Sequence, residues 1–395
     1  MEKYRKVLEH IDKMWVELIK NSRDCPKDPK NVQDDMKNFF LPYDFVAPGG
    51  MFDCMFYWDS YFTMTGLRYC PRLHYLMKSM VDNCIYMIHH FGRVSNSNKK
   101  AWSSRSQLPY LTSMIKLAYE VYEDNVWLDF AMGFAIREYE KYWCISPHLV
   151  DVGLSRFYED SGDNFITRNS EVSWDCSPRY DDDDTTSLLP VDLNANLFTY
   201  ERDFAEYFAR KGAEAEAKKW LERAEKRKAL MFELMWDEEE CLFFDYNFER
   251  GKKKYVRSLA SYVPMWAGMV DAEVAQKLVD KLSLFEHEFG LVTCDHDYGY
   301  KDRQWNYPLG WAPLHYMVCV GLRRYGYEET AVRIAKKFLD LVTRVFEKTQ
   351  AIWEKYDCVR GDVPGFNDRY PTQAGFGWTN GVFLALLHEF VLKSL

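Results

Sequence analysis

The chain has 395 residues, 47% of them hydrophobic, and a formal net charge of −9 at pH 7. That length suits one large domain or two to three ordinary ones, and that charge repels a nucleic-acid backbone or an anionic membrane surface. No stretch approaches the ~18 uninterrupted apolar residues of a membrane span, and the start, Met1-Glu2-Lys3-Tyr4-Arg5, is charged where a secretion signal turns apolar, which predicts a soluble, cytoplasmic protein.

Helical periodicity dominates from the first residues onward. Apolar positions recur three and four apart over 2–21, 57–68, 74–91, 107–122, 125–142, 191–210 and 213–235, then over 258–269, 271–283, 309–325, 328–348 and 376–393. Strand signals are nearly absent. Twelve helices with Gly and Pro between them match six helical hairpins in a ring; a two-layer solenoid needs about as many, although no repeat of fixed period is visible. No linker interrupts the chain, so 1–395 is expected to be one domain.

The connections differ in length. Residues 44–56, 92–106, 145–190, 236–257, 285–307 and 349–375 are long and irregular, and they alternate with short links such as 123–124 and 211–212. In a helical ring every second loop emerges at the same end, so one rim is expected to carry the function.

The ten cysteines include no Cys-x-x-Cys pair and the nine histidines are scattered, which predicts reduced thiols and no metal site. Aromatic residues reach 17% of the chain, more than a core needs, and rings laid on sugar faces are one use for them. Five of the long loops also carry runs of Trp, Asp, Asn, Arg and Gln, whose planar groups bind vicinal hydroxyls.

Seven segments in those loops form a pattern: Pro48-Gly49-Gly50-Met51-Phe52 with Tyr57-Trp58-Asp59-Ser60-Tyr61-Phe62; Ser104-Arg105-Ser106-Gln107; Ser173-Trp174-Asp175-Cys176-Ser177; Pro190-Val191-Asp192-Leu193-Asn194; Gln304-Trp305-Asn306-Tyr307-Pro308-Leu309-Gly310-Trp311; Glu354-Lys355-Tyr356-Asp357; and Gly375-Phe376-Gly377-Trp378. In kind and order they resemble the trehalases, a family of inverting glycoside hydrolases. The resemblance implies an all-α (α/α)6 barrel acting on a small α-linked disaccharide or glycoside without a cofactor. It places the general acid at Asp175 and the general base at Glu354. An inverting pair needs one protonated carboxyl for the leaving oxygen and one ionised carboxylate to activate water, roughly 6.5–9.5 Å apart.

The same resemblance puts Trp58, Asp59, Asn96, Arg105, Gln107 and Trp305 around the first sugar, with Trp305 covering a ring face. Phe52 and Tyr57 are expected at the mouth, and Trp174 beside Asp175, where it desolvates the acid. Asp192 and Asn194 read as helix caps, and the run 181–184 as a solvated or capping cluster. Departures from the family concentrate on the leaving-group side. Met51 stands where trehalases carry Arg, residues 145–170 lack a second-sugar motif, and Arg369 replaces a Glu. Another α-glucobiose, or a glucosyl- or mannosylglycerate whose carboxylate meets Arg369, is therefore an alternative substrate, and a catalytically silent sugar-binding protein a further reading. Loops 145–190 and 349–375 are the candidate lids.

Overall fold

The computed structural model describes residues 2–159, 171–365 and 371–392. Within them stand twelve α-helices: α1 Arg5–Leu18, α2 Tyr57–Leu67, α3 His74–Phe91, α4 Leu111–Tyr122, α5 Asn125–Glu138, α6 Val191–Arg210, α7 Glu214–Leu234, α8 Val263–Trp266, α9 Ala272–Lys281, α10 Ala312–Arg324, α11 Glu328–Thr349 and α12 Gly377–Leu386. Each overlaps the span that its periodicity predicts.

The even-numbered helices touch one another in a closed circuit, from α2 through α4, α6, α8 and α10 to α12 and back to α2. Helices α1, α3, α5, α7 and α11 pack around that circuit, and α9 is tied in by Tyr262, whose hydroxyl donates to Leu278 O at 2.8 Å. This arrangement is an (α/α)6 barrel. Burial separates its two rings: every residue of α2 and α12 is buried, whereas α1 buries Val7, Ile11, Trp15 and Leu18 and turns its other faces to solvent. At the α2–α12 crossing a Cβ on Gly66 would lie 2.4 Å from Gly381 O, so only glycine lets these backbones meet.

The helices depart from the periodicity where proline intervenes. Helix α4 starts at Leu111 and not at 107, because Pro109 bars helical backbone at Leu108. The span 258–269 is divided into a 3₁₀ turn, Leu259–Tyr262, and the single turn of α8, since Pro264 has no N–H and fits only a first turn. Residues 309–311 are not helical but form β1, Leu309–Trp311, antiparallel to β2, Lys355–Asp357; Trp311 lies opposite Lys355. All six long loops enter the N-terminus of an even-numbered helix, so they share one rim.

One buried cluster inside the barrel links four helices. Glu138 of α5 accepts from Tyr57 Oη of α2 at 3.1 Å and Tyr200 Oη of α6 at 3.0 Å, while Leu111 N of α4 donates to Tyr200 Oη at 2.6 Å. Burial pushes the Glu138 carboxyl from its ordinary 4.5 up to about 7, against the pull of both hydroxyls. Between those pH values the folded chain keeps a proton that the unfolded chain has released. The contribution is therefore fully present below 4.5, falls by about 3 kcal/mol as pH rises to about 7, and is flat above that. In urea unfolding, the stability difference between the wild type and Glu138→Gln is expected to follow this course; a difference independent of pH refutes it.

Candidate active site

Three carboxylates converge on the loop-bearing rim. Asp59 lies in the first turn of α2, Asp175 in the loop before α6, and Glu354 just before β2; all three line a cavity of about 350 Å³. The buried Trp58, Asn96, Gln107, Trp305, Trp311, Phe376 and Trp378 also line it, and the more exposed Met36, Met51, Phe52, Phe56 and Trp102 mark its mouth.

Local sequence puts these groups in place. Phe56 offers no side-chain cap to α2, so the orphan N–H groups of Tyr57 and Trp58 donate instead to Asn96 O at 3.1 Å and Gln107 Oε1 at 3.2 Å. The connection between α3 and α4, which supplies Asn96 and Gln107 to the cavity, is thereby tied at two points to the helix that bears Asp59. Gly49, at φ +107°, brings its loop so close to Gly375 that a Cβ would stand 2.1 Å from Gly375 O. The pairing of β1 with β2 brings the Gln304-Trp305 loop alongside Glu354, and Cys176, left-handed at φ 57°, reverses the chain directly after Asp175.

A polar chain joins two of the acids. Gln304 Nε2 donates to Asp175 Oδ1 at 3.0 Å, Lys355 Nζ donates to Gln304 Oε1 at 3.1 Å, and the same ammonium lies 3.3 Å from Glu354 Oε2. Trp305 Nε1 donates to Asp175 Oδ1 as well, at 3.3 Å. Burial pushes the Asp59 carboxyl well above its usual range, and the charges of Glu354 and then Asp175 push it the same way, which places the three acids in one electrostatic unit. No Lys, Arg or His lines the cavity among the described residues.

A larger cavity of about 670 Å³ opens near the C-terminal ends of α4, α6 and α10, but there Lys116 takes both Asp203, at 2.8 Å, and Glu206, at 3.0 Å. Chemistry, not size, selects the first site.

Comparison with known proteins agrees with this geometry. The family described as Trehalase matches residues 1–164 and 156–391. The periplasmic trehalase of Pseudomonas aeruginosa is 30% identical over 426 residues, covering 96% of this chain and 75% of that protein. The chain belongs to the trehalase family. Among solved structures, neutral trehalase Nth1 from Saccharomyces cerevisiae superposes with a TM-score of 0.77 at 26% identity, over 89% of this chain and 76% of that one. The GH63 mannosylglycerate hydrolase from Thermus thermophilus shares the fold, with a TM-score of 0.66 at 19% identity over 86% and 95%. As a trehalase-family member the protein is a glycoside hydrolase of trehalose type, acting on a small glycoside. No helix of the described residues is long and apolar enough to cross a membrane.

Against the trehalase pattern, the structure brings Asp175, Glu354, Phe52, Trp58, Asp59, Asn96, Gln107 and Trp305 to one cavity. Three other residues expected in the site stand elsewhere. Tyr57 does not reach the mouth, because its hydroxyl is held in the Glu138 cluster. Arg105 is buried in an ion pair with Glu159 and is not on the cavity wall. Trp174 lies behind the wall, stacked on Trp305 at 5.3 Å with the Arg179 guanidinium 4.7 Å from its ring.

Trp305 is on the wall with a different role from the one expected. Trp311 stacks on it at 3.9 Å and Trp174 at 5.3 Å, so it turns an N–H edge to Asp175 and has no face for a sugar. Arg369 and 160–170 fall outside the described residues. The sequence does not single out Gln304, Lys355 and Trp311 as site residues although they stand in the quoted motifs, and the antiparallel register is what brings them to the acids.

Asp192 and Asn194 are not caps of α6 either. Asp192 is a counter-ion of Arg179, and Asn194 holds Ser155 N at 2.9 Å through Oδ1 and donates to Ser155 O at 2.8 Å. In the run 181–184, Asp181 pairs with Arg303, Asp183 with Arg250 and Lys254, and Asp184 caps the turn Thr185–Ser187.

Proposed function

We propose that the protein hydrolyses a small α-glucoside such as trehalose with inversion, Asp175 acting as general acid and Glu354 as general base. The reading is carried by two carboxylates of one aromatic-walled cavity that are held in unlike surroundings: Asp175 accepts N–H groups from Gln304 and Trp305, and Glu354 faces the Lys355 ammonium. Environments that differ in this way separate an acid from a base.

In the reaction Asp175 gives its proton to the glycosidic oxygen as the bond from that oxygen to C1 breaks. Glu354 takes a proton from a water whose oxygen bonds to C1 from the opposite face. Asp175 ends ionised and Glu354 protonated, and exchange with solvent restores both. Trp58 and Trp378 offer apolar surface to the sugar, and Gln107, Asn96 and Asp59 its polar partners.

Met51, 59% exposed at the mouth, brings no donor to the leaving group. That favours, as a second reading, an α-glucobiose other than trehalose or an α-glycoside of glycerate. NMR of the enzyme with trehalose, other α-glucobioses and glucosylglycerate tests both readings: trehalose is expected to give α- and β-glucose in equal amounts at first, because only the attacked C1 inverts, and glucosylglycerate to give β-glucose alone, while the substrate hydrolysed fastest names the leaving group. Release of α-glucose with no initial β-glucose from trehalose or glucosylglycerate removes inversion, and release from none of them leaves a sugar-binding protein.

We further place the protein in the cytoplasm, as its ten free cysteines suit a reducing compartment; recovery in a periplasmic fraction overturns this. The net charge of −9 argues against nucleic-acid or membrane partners.

A further inference from the structure

We infer that Lys355, acting through Gln304, is a positioning residue that divides the labour of the two carboxylates: its ammonium holds Glu354 in the ionised form and turns the Gln304 amide so that it donates to Asp175. The inference rests on the roles proposed for those two acids.

The chemistry of the donors compels the orientation. An ammonium has only N–H groups to offer, so the Gln304 atom 3.1 Å from Lys355 Nζ is the oxygen, and the amide nitrogen must then face Asp175 Oδ1, 3.0 Å away. Trp305 Nε1 approaches the same Oδ1 at 3.3 Å. An oxygen that accepts two N–H groups does not itself carry hydrogen, so the proton of the acid belongs on Oδ2.

Charge gives the second half of the argument. Among the described residues Asp59, from α2, and Asp175, from the loop before α6, join Lys355 as charged groups around Glu354, and the Asp59 carboxyl is raised by burial first and then by both of the other acids. Three acids at close quarters oppose each other's ionisation. A counter-charge to them, among the described residues, comes from Lys355, which is 0% exposed, lies behind the cavity, and stands 5.0 Å from the Trp311 ring centroid. It touches Glu354 directly and reaches Asp175 only through a neutral amide, so its charge favours ionisation of Glu354 first.

The test reads pH profiles of kcat/KM on whichever α-glucoside the enzyme hydrolyses. In Lys355→Met the acidic limb, set by the base, is expected to move up by about one pH unit or more, with kcat down roughly tenfold to hundredfold and KM nearly unchanged. In Gln304→Leu Asp175 loses a donor to its ionised form, so the alkaline limb is expected to move up instead. A folded Lys355→Met enzyme with reduced kcat but an unmoved acidic limb makes the lysine merely structural and overturns the inference. Should Lys355→Met not fold, Gln304→Leu decides in the same manner: a displaced alkaline limb supports the inference and an unmoved one ends it. Glu354→Gln separates the two levels. If it retains full turnover, the proposed base and this inference fall together; if it is inactive while the lysine variant keeps a wild-type profile, only the inference falls.

Discussion

Glu354→Gln is expected to lower kcat on its α-glucoside by roughly 10³-fold, and Asp175→Asn to do the same, because each removes a proton transfer that the transition state requires. The two variants should part company on α-glucosyl fluoride. Fluoride leaves without needing a proton, so loss of the acid matters little there, whereas attack by water still requires the base. Asp175→Asn is thus expected to recover most of its activity on the fluoride, and Glu354→Gln to remain inactive. The opposite pattern would exchange the two roles, and equal loss on both substrates would show that Asp175 serves binding and not proton transfer. Glu354 is buried and Asp175 half-buried in the cavity wall, and both substitutions keep their size, so an unchanged thermal midpoint should accompany the lost turnover.

The ring of helices is legible because its signal is local. Apolar spacing marks twelve helices, and each helix forms. The rim is legible too, since loop length alternates along the chain as the connections alternate between the two ends of the barrel. Prolines 109 and 264 displace helix starts, through a rule about neighbouring residues that periodicity ignores. What stays hidden is partner choice. The motif around Trp305 makes it a sugar platform, yet which face of an indole is left open depends on Trp174 and Trp311, and the contact with Trp174 spans 131 residues (305 − 174 = 131). Tyr57 sits one residue before a true wall residue, Trp58, and on a fully buried helix a single step of about 100° points the side chain into the core. Asp192 and Asn194 resemble caps because they open a helix, but their partners come from Arg179 and Ser155.

Arg179 is the residue whose loss should cost the fold most. It is 1% exposed, and its guanidinium makes two forked pairs, to Asp245 at 2.8 and 2.7 Å and to Asp192 at 2.9 and 2.9 Å. Asp245 in turn accepts Val191 N at 2.9 Å, at the start of α6. One cation therefore ties the loop that carries Asp175 to α6 and to the loop 236–257, while supporting Trp174 from below. Replacing a buried ion pair by apolar groups is often harmless, but removing only its cation strands the acids in a medium that cannot solvate them. Arg179→Met is expected to lower unfolding free energy at pH 7.5 by about 3–5 kcal/mol in urea titrations. The deficit should narrow on acidification, because stranded carboxyls that bind protons no longer bury charge; their protonation is favoured in the folded variant, so its stability rises as pH falls. The triple variant Arg179→Met, Asp192→Asn, Asp245→Asn should regain part of the loss at neutral pH. A loss below about 1 kcal/mol in the single variant would mean that water reaches the acids, and would reduce the fork to an incidental contact.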